Sequence, residues 1–123
     1  MKNYQTQQIR NISLVGNSGA GKTTLAESML QVGGVITRKG DIASKDTASD
    51  HRLIEQENGN SLYSTVMYSE LGNTKFNILD CPGMDDFIGG VVSSLFATDI
   101  AVMVVNAQNG VEVGTEIHGR YLE

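Results

Sequence analysis

The chain of 123 residues is 40% hydrophobic and 19% charged, which describes about one globular domain and not a disordered tail. Its formal charge of −5 argues against charge-driven binding of naked nucleic acid or of an anionic membrane. A lone Cys81, no apolar run near the roughly 18 residues of a membrane span, and no secretory core in MKNYQTQQIR predict a cytoplasmic protein.

Arg10 to Val15 reads as a first strand, with Ile12 and Leu14 on one face, and it runs into a glycine-rich loop. From Lys22 a helix pattern takes over, with Leu25 and Met29, and Ala26 and Leu30, spaced four apart until Gly33-Gly34. Residues 35 to 60 hold no apolar period and are expected to form a mobile loop, poorly ordered without ligand. Ser61 to Ser69 alternates as a strand, Gly72-Asn73 marks a turn, and Lys75 to Leu79 returns as the partner of a hairpin. Tyr63 and Tyr68 are expected to pack on that hairpin.

Ile88, Val91, Val92, Leu95 and Phe96 outline an amphipathic helix. Gly89-Gly90 at its start suggests a flexible segment, or else close helix packing. Ile100 to Val105 is a continuous apolar run, as in a parallel strand covered on both faces. Thr115 to Tyr121 could begin another helix. The order β-α-β-β-α-β-α predicts a three-layer α/β sandwich whose sheet is mostly parallel, with one antiparallel hairpin strand.

Gly16-Asn17-Ser18-Gly19-Ala20-Gly21-Lys22-Thr23 fits GxxxxGK[ST], the P-loop pattern of nucleoside triphosphatases, at every fixed position. Glycines let successive backbone N–H groups turn inward to hold phosphate oxygens, and the following helix adds its positive end. Lys22 would reach the β- and γ-phosphates and the Thr23 hydroxyl would ligate Mg²⁺, with Thr24 completing the nucleotide-binding run. The alternative is a glycine-rich turn that matches by chance, but this one sits between a strand and a helix, where the mechanism needs it. Asp80 ends the returning strand and opens DxxG with Gly83. It would hold Mg²⁺ through a water while the Gly83 N–H bonds a γ-phosphate oxygen; a plain Pro-Gly turn is the alternative. Cys81 reads as structural, since Asp80, Asp85 and Asp86 would raise its thiol pKa. Asp85 and Asp86 suit the first turn of a helix.

Gly16–Thr24, Glu55-Gln56-Glu57-Asn58-Gly59-Asn60-Ser61, Asp80-Cys81-Pro82-Gly83-Met84-Asp85-Asp86-Phe87 and Gly110-Val111-Glu112 resemble the GTP-binding domain of translation elongation factor G, most strongly its bacterial elongation-factor-G-like relatives. The likeness runs from about Ile9 to Arg120. It implies that residues 1–123 are the N-terminal part of such a GTPase domain, binding GTP or GDP with Mg²⁺, and that the whole protein works on the ribosome. It also implies that Ser61 is the third metal ligand beside Thr23 and Asp80, ordering residues 35 to 61 when GTP is bound.

Two departures matter. Where the family carries a histidine that positions the attacking water, this chain has Met84, which cannot orient a water by a strong hydrogen bond. Hydrolysis that is slow or is assisted by another group or a partner, or a nucleotide switch with little hydrolysis, follows from that; a methionine that simply packs in the core after the turn is the alternative. The family's guanine-reading Asn-Lys-x-Asp is also absent from these residues, and Asn106-Ala107-Gln108-Asn109 lacks its lysine and aspartate. His51 and His118 fall at no family position and receive no role. An adenine-reading ATPase or kinase is a third reading, weakened by the scatter of Arg10, Arg38, Arg52 and Arg120.

In the family another strand follows beside Ile100–Val105. Without it the sheet is incomplete on its C-terminal side and presents an apolar edge, from which a homodimer or an exchange of elements through residues 100–121 is expected. Light scattering that found a strict monomer at high concentration would refute this.

Overall fold

Alternation along β1 (Ile9–Val15) sends Ile12 and Leu14 to one face of a sheet and Val15 to the other, and that split organises the computed structural model, described over residues 2–123. Helix α1 (Lys22–Val32) lays Ala26 and Leu30 on Ile12 and Leu14. A short helix α2 (Leu53–Asn58) precedes the hairpin of β2 (Thr65–Leu71) and β3 (Thr74–Asp80). Helix α3 (Ile88–Phe96) covers the opposite face, where Val91 packs on Val15 and Cys81. Strand β4 (Ile100–Met103) and helix α4 (Val113–Arg120) complete the chain.

The sheet runs β2-β3-β1-β4. β1 pairs in parallel with β3 and β4, and β2 pairs antiparallel with β3 through the turn at Gly72. This is the expected three-layer arrangement, with α1 on one face and α3 on the other. The central strand points its C-terminal end at the phosphate loop, and β3, beside it, ends at Asp80. Both tips therefore open into one crevice, the place where ligands of parallel α/β sheets bind. Among the described residues no helix is long and apolar enough to cross a membrane.

Three expectations are corrected. The hairpin strand begins at Thr65, not Ser61, because the backbone ahead of it is committed elsewhere. The N–H groups of Leu62 and Tyr63 donate to Glu55 Oε1 at 3.0 and 3.1 Å, and the Ser64 hydroxyl donates to the Gly90 carbonyl at 3.0 Å. Tyr63 accordingly leaves the hairpin, and the Arg52 guanidinium stacks 4.0 Å above its ring. The apolar run 100–105 is shorter as a strand than its pattern. β4 ends at Met103 and packs on both faces, Val102 on the α1 side and Ala101 and Met103 on the α3 side, while Ile100 and Val105 at the ends of the run are exposed.

The third correction concerns residues 35–60, which are not a structureless loop. α2 forms within them and ends at Gly59, whose left-handed backbone (φ 64°) closes the helix by donating to the Glu55 carbonyl at 2.8 Å. Thr47, Ser49, Asp50 and Glu55 are buried. The anchor lies on α1: buried Glu27 accepts from the Gly40 N–H at 2.8 Å and from the Ala48 N–H at 2.5 Å. A carboxylate with four lone-pair positions can hold two backbone strands at once, a role that no apolar periodicity announces. Glu27→Ala is expected to destabilise this chain by about 2 kcal/mol and to speed amide exchange at Gly40 and Ala48; denaturant unfolding and hydrogen-exchange spectra check both.

Candidate functional site

The loop between β1 and α1 is shaped by what surrounds its first residue. Gly16 is buried with a left-handed φ of 138°, and a side chain there would strike the Val104 carbonyl oxygen. At the other end α1 begins without a side-chain cap. Its first-turn N–H groups, left without helical acceptors, are donors for an anion. Lys22 is buried and folds back over the loop, donating to the carbonyls of Gly16 at 2.9 Å and Asn17 at 2.8 Å. Two of the three ammonium protons are thus spent on the loop, leaving one for a phosphate oxygen. Burial pushes the Lys22 pKa down, while Asp80, Cys81 and Asp50 draw it back up.

Gly83 comes down onto this arrangement. A side chain at that position would collide with Lys22 Nζ and approach the Ser18 N–H nitrogen to 2.6 Å. Only glycine lets the turn after β3 lie against the loop. Ser18 in turn donates to Asn60 Oδ1 at 2.7 Å, joining the loop to the segment after α2. Ser18, Gly19, Gly21, Lys22, Thr23, Ser61 and Gly83 line one cleft together with Asp50 and Asn60. Asn17 and Ala20 shape the loop from within it, the Ala20 N–H donating to the Asn17 carbonyl at 3.2 Å. Thr24 is exposed on the first turn of α1, with its side chain outside the cleft.

At the floor of the cleft Thr23 Oγ1 donates to Asp80 Oδ2 at 2.7 Å, and Ser61 Oγ donates to Asp50 Oδ1 at 2.7 Å. Thr23 Oγ1 and Ser61 Oγ lie 3.3 Å apart. Each hydroxyl has one proton, and each has given it to a carboxylate, so the two oxygens face one another with lone pairs only. Asp80 is fully buried and its Oδ1 has no partner among the described residues. Such a set of hard oxygen donors fits Mg²⁺, which takes one or two carboxylates or hydroxyls and completes its shell with water and phosphate. No group of three or more His, Cys, Asp or Glu is placed to hold a metal among the described residues.

The structure brings Thr23, Ser61 and Asp80 together, and it adds Asp50, Asn60 and His118, which sequence reasoning missed. Asp50 lies in the polar stretch where no pattern sets one carboxylate apart from its neighbours. His118 Nδ1 accepts from the Gly16 N–H at 2.8 Å, although the residue stands 102 positions away in sequence. Asn106 holds a turn, its Oδ1 accepting from the Gln108 N–H at 2.8 Å, and its Nδ2 reaches the Gly19 carbonyl at 3.5 Å. Gly90 packs closely, its missing side chain leaving room for Ser64 and Pro82, whereas Gly89 is open. Cys81 is buried, and burial chiefly pushes its thiol pKa up, with the Asp80 charge adding to it. Asp85 and Asp86 form the single turn that leads into α3.

Burial raises the pKa of Asp80 above its ordinary 3.8, against the Thr23 hydroxyl and the Lys22 charge, and it raises that of Asp50 against the Ser61 hydroxyl. A carboxyl raised in the folded state keeps its proton longer there than in the unfolded chain. Its favourable contribution is complete below 3.8 and disappears as the pH climbs through the raised value. At neutral pH and without a divalent cation, Asp80→Asn is therefore expected to raise the thermal midpoint. The gain shrinks as the pH falls through the raised value and is offset in part by the lost charge beside Lys22; thermal melts across pH check it. Added Mg²⁺ is expected to stabilise the unsubstituted chain and not the variant.

Residues 7–123 match the family described as the elongation factor Tu GTP binding domain. The chain is similar to tetracycline resistance protein TetM from transposon Tn1545 of Enterococcus faecalis, at 37% identity over 89% of this chain and 17% of that protein. It is 39% identical to peptide chain release factor 3 of Lactobacillus helveticus, over 87% of this chain and 21% of that one. It thus spans about a fifth of the length of these curated relatives. A protein of known crystal structure from Thermus thermophilus superposes with a TM-score of 0.90 at 33% identity, over 93% of this chain and 17% of that chain. Elongation factor SelB from Methanococcus maripaludis, solved with the GTP analogue GppNHp, shares the fold at 21% identity and a TM-score of 0.69, over 99% of this chain and 20% of that chain. With a phosphate loop, a DxxG turn and a match over nearly its whole length, the chain belongs to the elongation factor Tu GTP-binding domain family.

Proposed function

We propose that residues 1–123 are the N-terminal part of the GTPase domain of an elongation-factor-G-like translation factor. The observation that carries this reading is the pair of facing hydroxyl oxygens, Thr23 and Ser61, held between the buried carboxylates Asp80 and Asp50. The backbone from Asn17 to Thr24 would wrap the phosphates of GTP or GDP, with Lys22 neutralising their charge. Thr23 and Ser61 would hold Mg²⁺ directly and Asp80 through a water; when bound, the ion neutralises charge building on the phosphate oxygens. The Gly83 N–H would bond the γ-phosphate, so that its loss is felt at the turn leading into α3. The protein's own contribution to hydrolysis would be positioning and electrostatics.

Guanine specificity is proposed from the GTP-binding family, since none of these 123 residues is read as a base contact. Action on the ribosome, in the cytoplasm, is proposed for the whole protein. It is supported by relatives named as a peptide chain release factor and, in the solved structures, as an elongation factor.

Met84 favours a second reading, a nucleotide switch with little hydrolysis. It is partly exposed on extended backbone directly after Gly83, where a histidine would serve the water, and it offers only a thioether. One set of measurements on the full-length protein with Mg²⁺ separates the possibilities. Tight GDP binding with ADP ignored supports the translation-factor reading; equal binding returns the protein to the general P-loop class, and no binding by either leaves a degenerate loop on a structural domain. Single-turnover GTP hydrolysis is expected to be slow and to rise about 100-fold in Met84→His. Fast turnover without the substitution would exclude the switch.

A further inference from the structure

The phosphate loop is gripped from α4 as well as from α1. His118 is fully buried, and its Nδ1 accepts the Gly16 N–H at 2.8 Å, while the Gly16 carbonyl accepts from Lys22 Nζ at 2.9 Å. The start of α4 presses on the next loop residue: a side chain at Gly114 would strike Asn17 Oδ1. We propose that His118 is a positioning residue for nucleotide binding, its neutral imidazole holding the first peptide of the phosphate loop in the shape that receives phosphate.

This inference rests on the nucleotide reading above and extends it to a residue outside the phosphate loop and the two acidic turns. An imidazole that accepts at Nδ1 must carry its proton on Nε2, which is buried with no partner among the described residues, so the grip on Gly16 is made at the cost of one unpaired N–H. Burial holds the His118 pKa below its ordinary 6.5 and the Lys22 charge lowers it further, against an opposing pull from Asp85. Those two residues, from α1 and from the turn ahead of α3, are the charged groups that act on the ring. Acidification would put a second N–H at Nδ1, directly against the Gly16 N–H and on the side of the Lys22 charge. The grip on the loop is therefore present at neutral pH and lost on protonation.

The test uses the full-length protein, fluorescent GDP and two variants. His118→Leu keeps most of the volume but removes the acceptor, leaving the Gly16 N–H buried and unpaired. It is expected to weaken GDP binding about tenfold, equivalent to about 1.4 kcal/mol. His118→Asn offers an amide oxygen near the position of Nδ1 and is expected to bind within about threefold of the unsubstituted protein. Between about pH 7.5 and about pH 5.5 the unsubstituted protein should lose affinity more steeply than the Asn variant. Nitrogen NMR of the imidazole should find the Nε2–H tautomer at neutral pH. Full affinity in His118→Leu, equal losses in both variants, or a proton on Nδ1 would each overturn the proposal. Failure of every form to bind GDP would overturn the nucleotide reading, while the nitrogen spectrum would still decide the contact between His118 and Gly16.

Discussion

The hydrogen bond from Thr23 to Asp80 joins the first turn of α1 to the last residue of β3, and the geometry of the crevice depends on it. The sheet itself pairs the ends of β1 and β3, Leu14 against Asp80. Without the Thr23 bond the start of α1 would lose its tie to that edge, and a fully buried carboxylate would lose a hydrogen-bond partner. The bond uses the single Thr23 proton, which forces the hydroxyl lone pairs outward, towards Ser61. One commitment therefore fixes the register between helix and strand and also determines what kind of ligand the floor of the cleft can accept. The same economy recurs at Glu27 and Glu55, whose carboxylates hold backbone N–H groups of the segment that brings Asp50 and Ser61 to the cleft.

These contacts divide the chain into a scaffold held by apolar packing and an upper surface held by polar contacts. Ile12, Leu14, Ala26, Leu30 and Ile78 need only shape and hydrophobicity to find each other. The segment from Ile36 to Ser64 buries little such surface beyond Ile36 and is held largely by directed hydrogen bonds, to the carboxylates of Glu27 and Glu55 and to the polar groups of Ser18 and Gly90. Apolar packing tolerates small displacements, whereas a hydrogen bond to a carboxylate weakens steeply with misalignment.

The same division explains what was legible in the sequence. Strand β1, helices α1 and α3, the hairpin turn and the phosphate loop follow from residue periods and a spaced motif, and they lie where those patterns put them. Ser61 was reached only through likeness to a family, since a lone serine in a polar stretch carries no pattern of its own. Glu27, Asp50 and His118 were not legible at all. Each acts through one or two hydrogen bonds to residues distant in sequence, and a single buried polar side chain leaves no periodic trace. The alternating pattern starts four residues ahead of β2 because alternation reports a side chain's facing and not its hydrogen-bond partner. The carboxylate of Glu55 took the N–H groups at Leu62 and Tyr63.

Lys22 meets its two loop carbonyls in the folded chain itself, beneath a glycine that leaves no room for a side chain. A lysine free to rotate on the surface would lose roughly 2 kcal/mol of rotamer entropy on closing over an anion. Here that ordering belongs to folding, so a phosphate arriving at the loop meets a cation already in place. The position also selects against arginine, whose planar fork cannot direct separate protons to two consecutive carbonyls while fitting beneath Gly83. The lysine is thus part of the loop's internal frame as much as a reader of its ligand, and its replacement would reshape the loop before any nucleotide arrived.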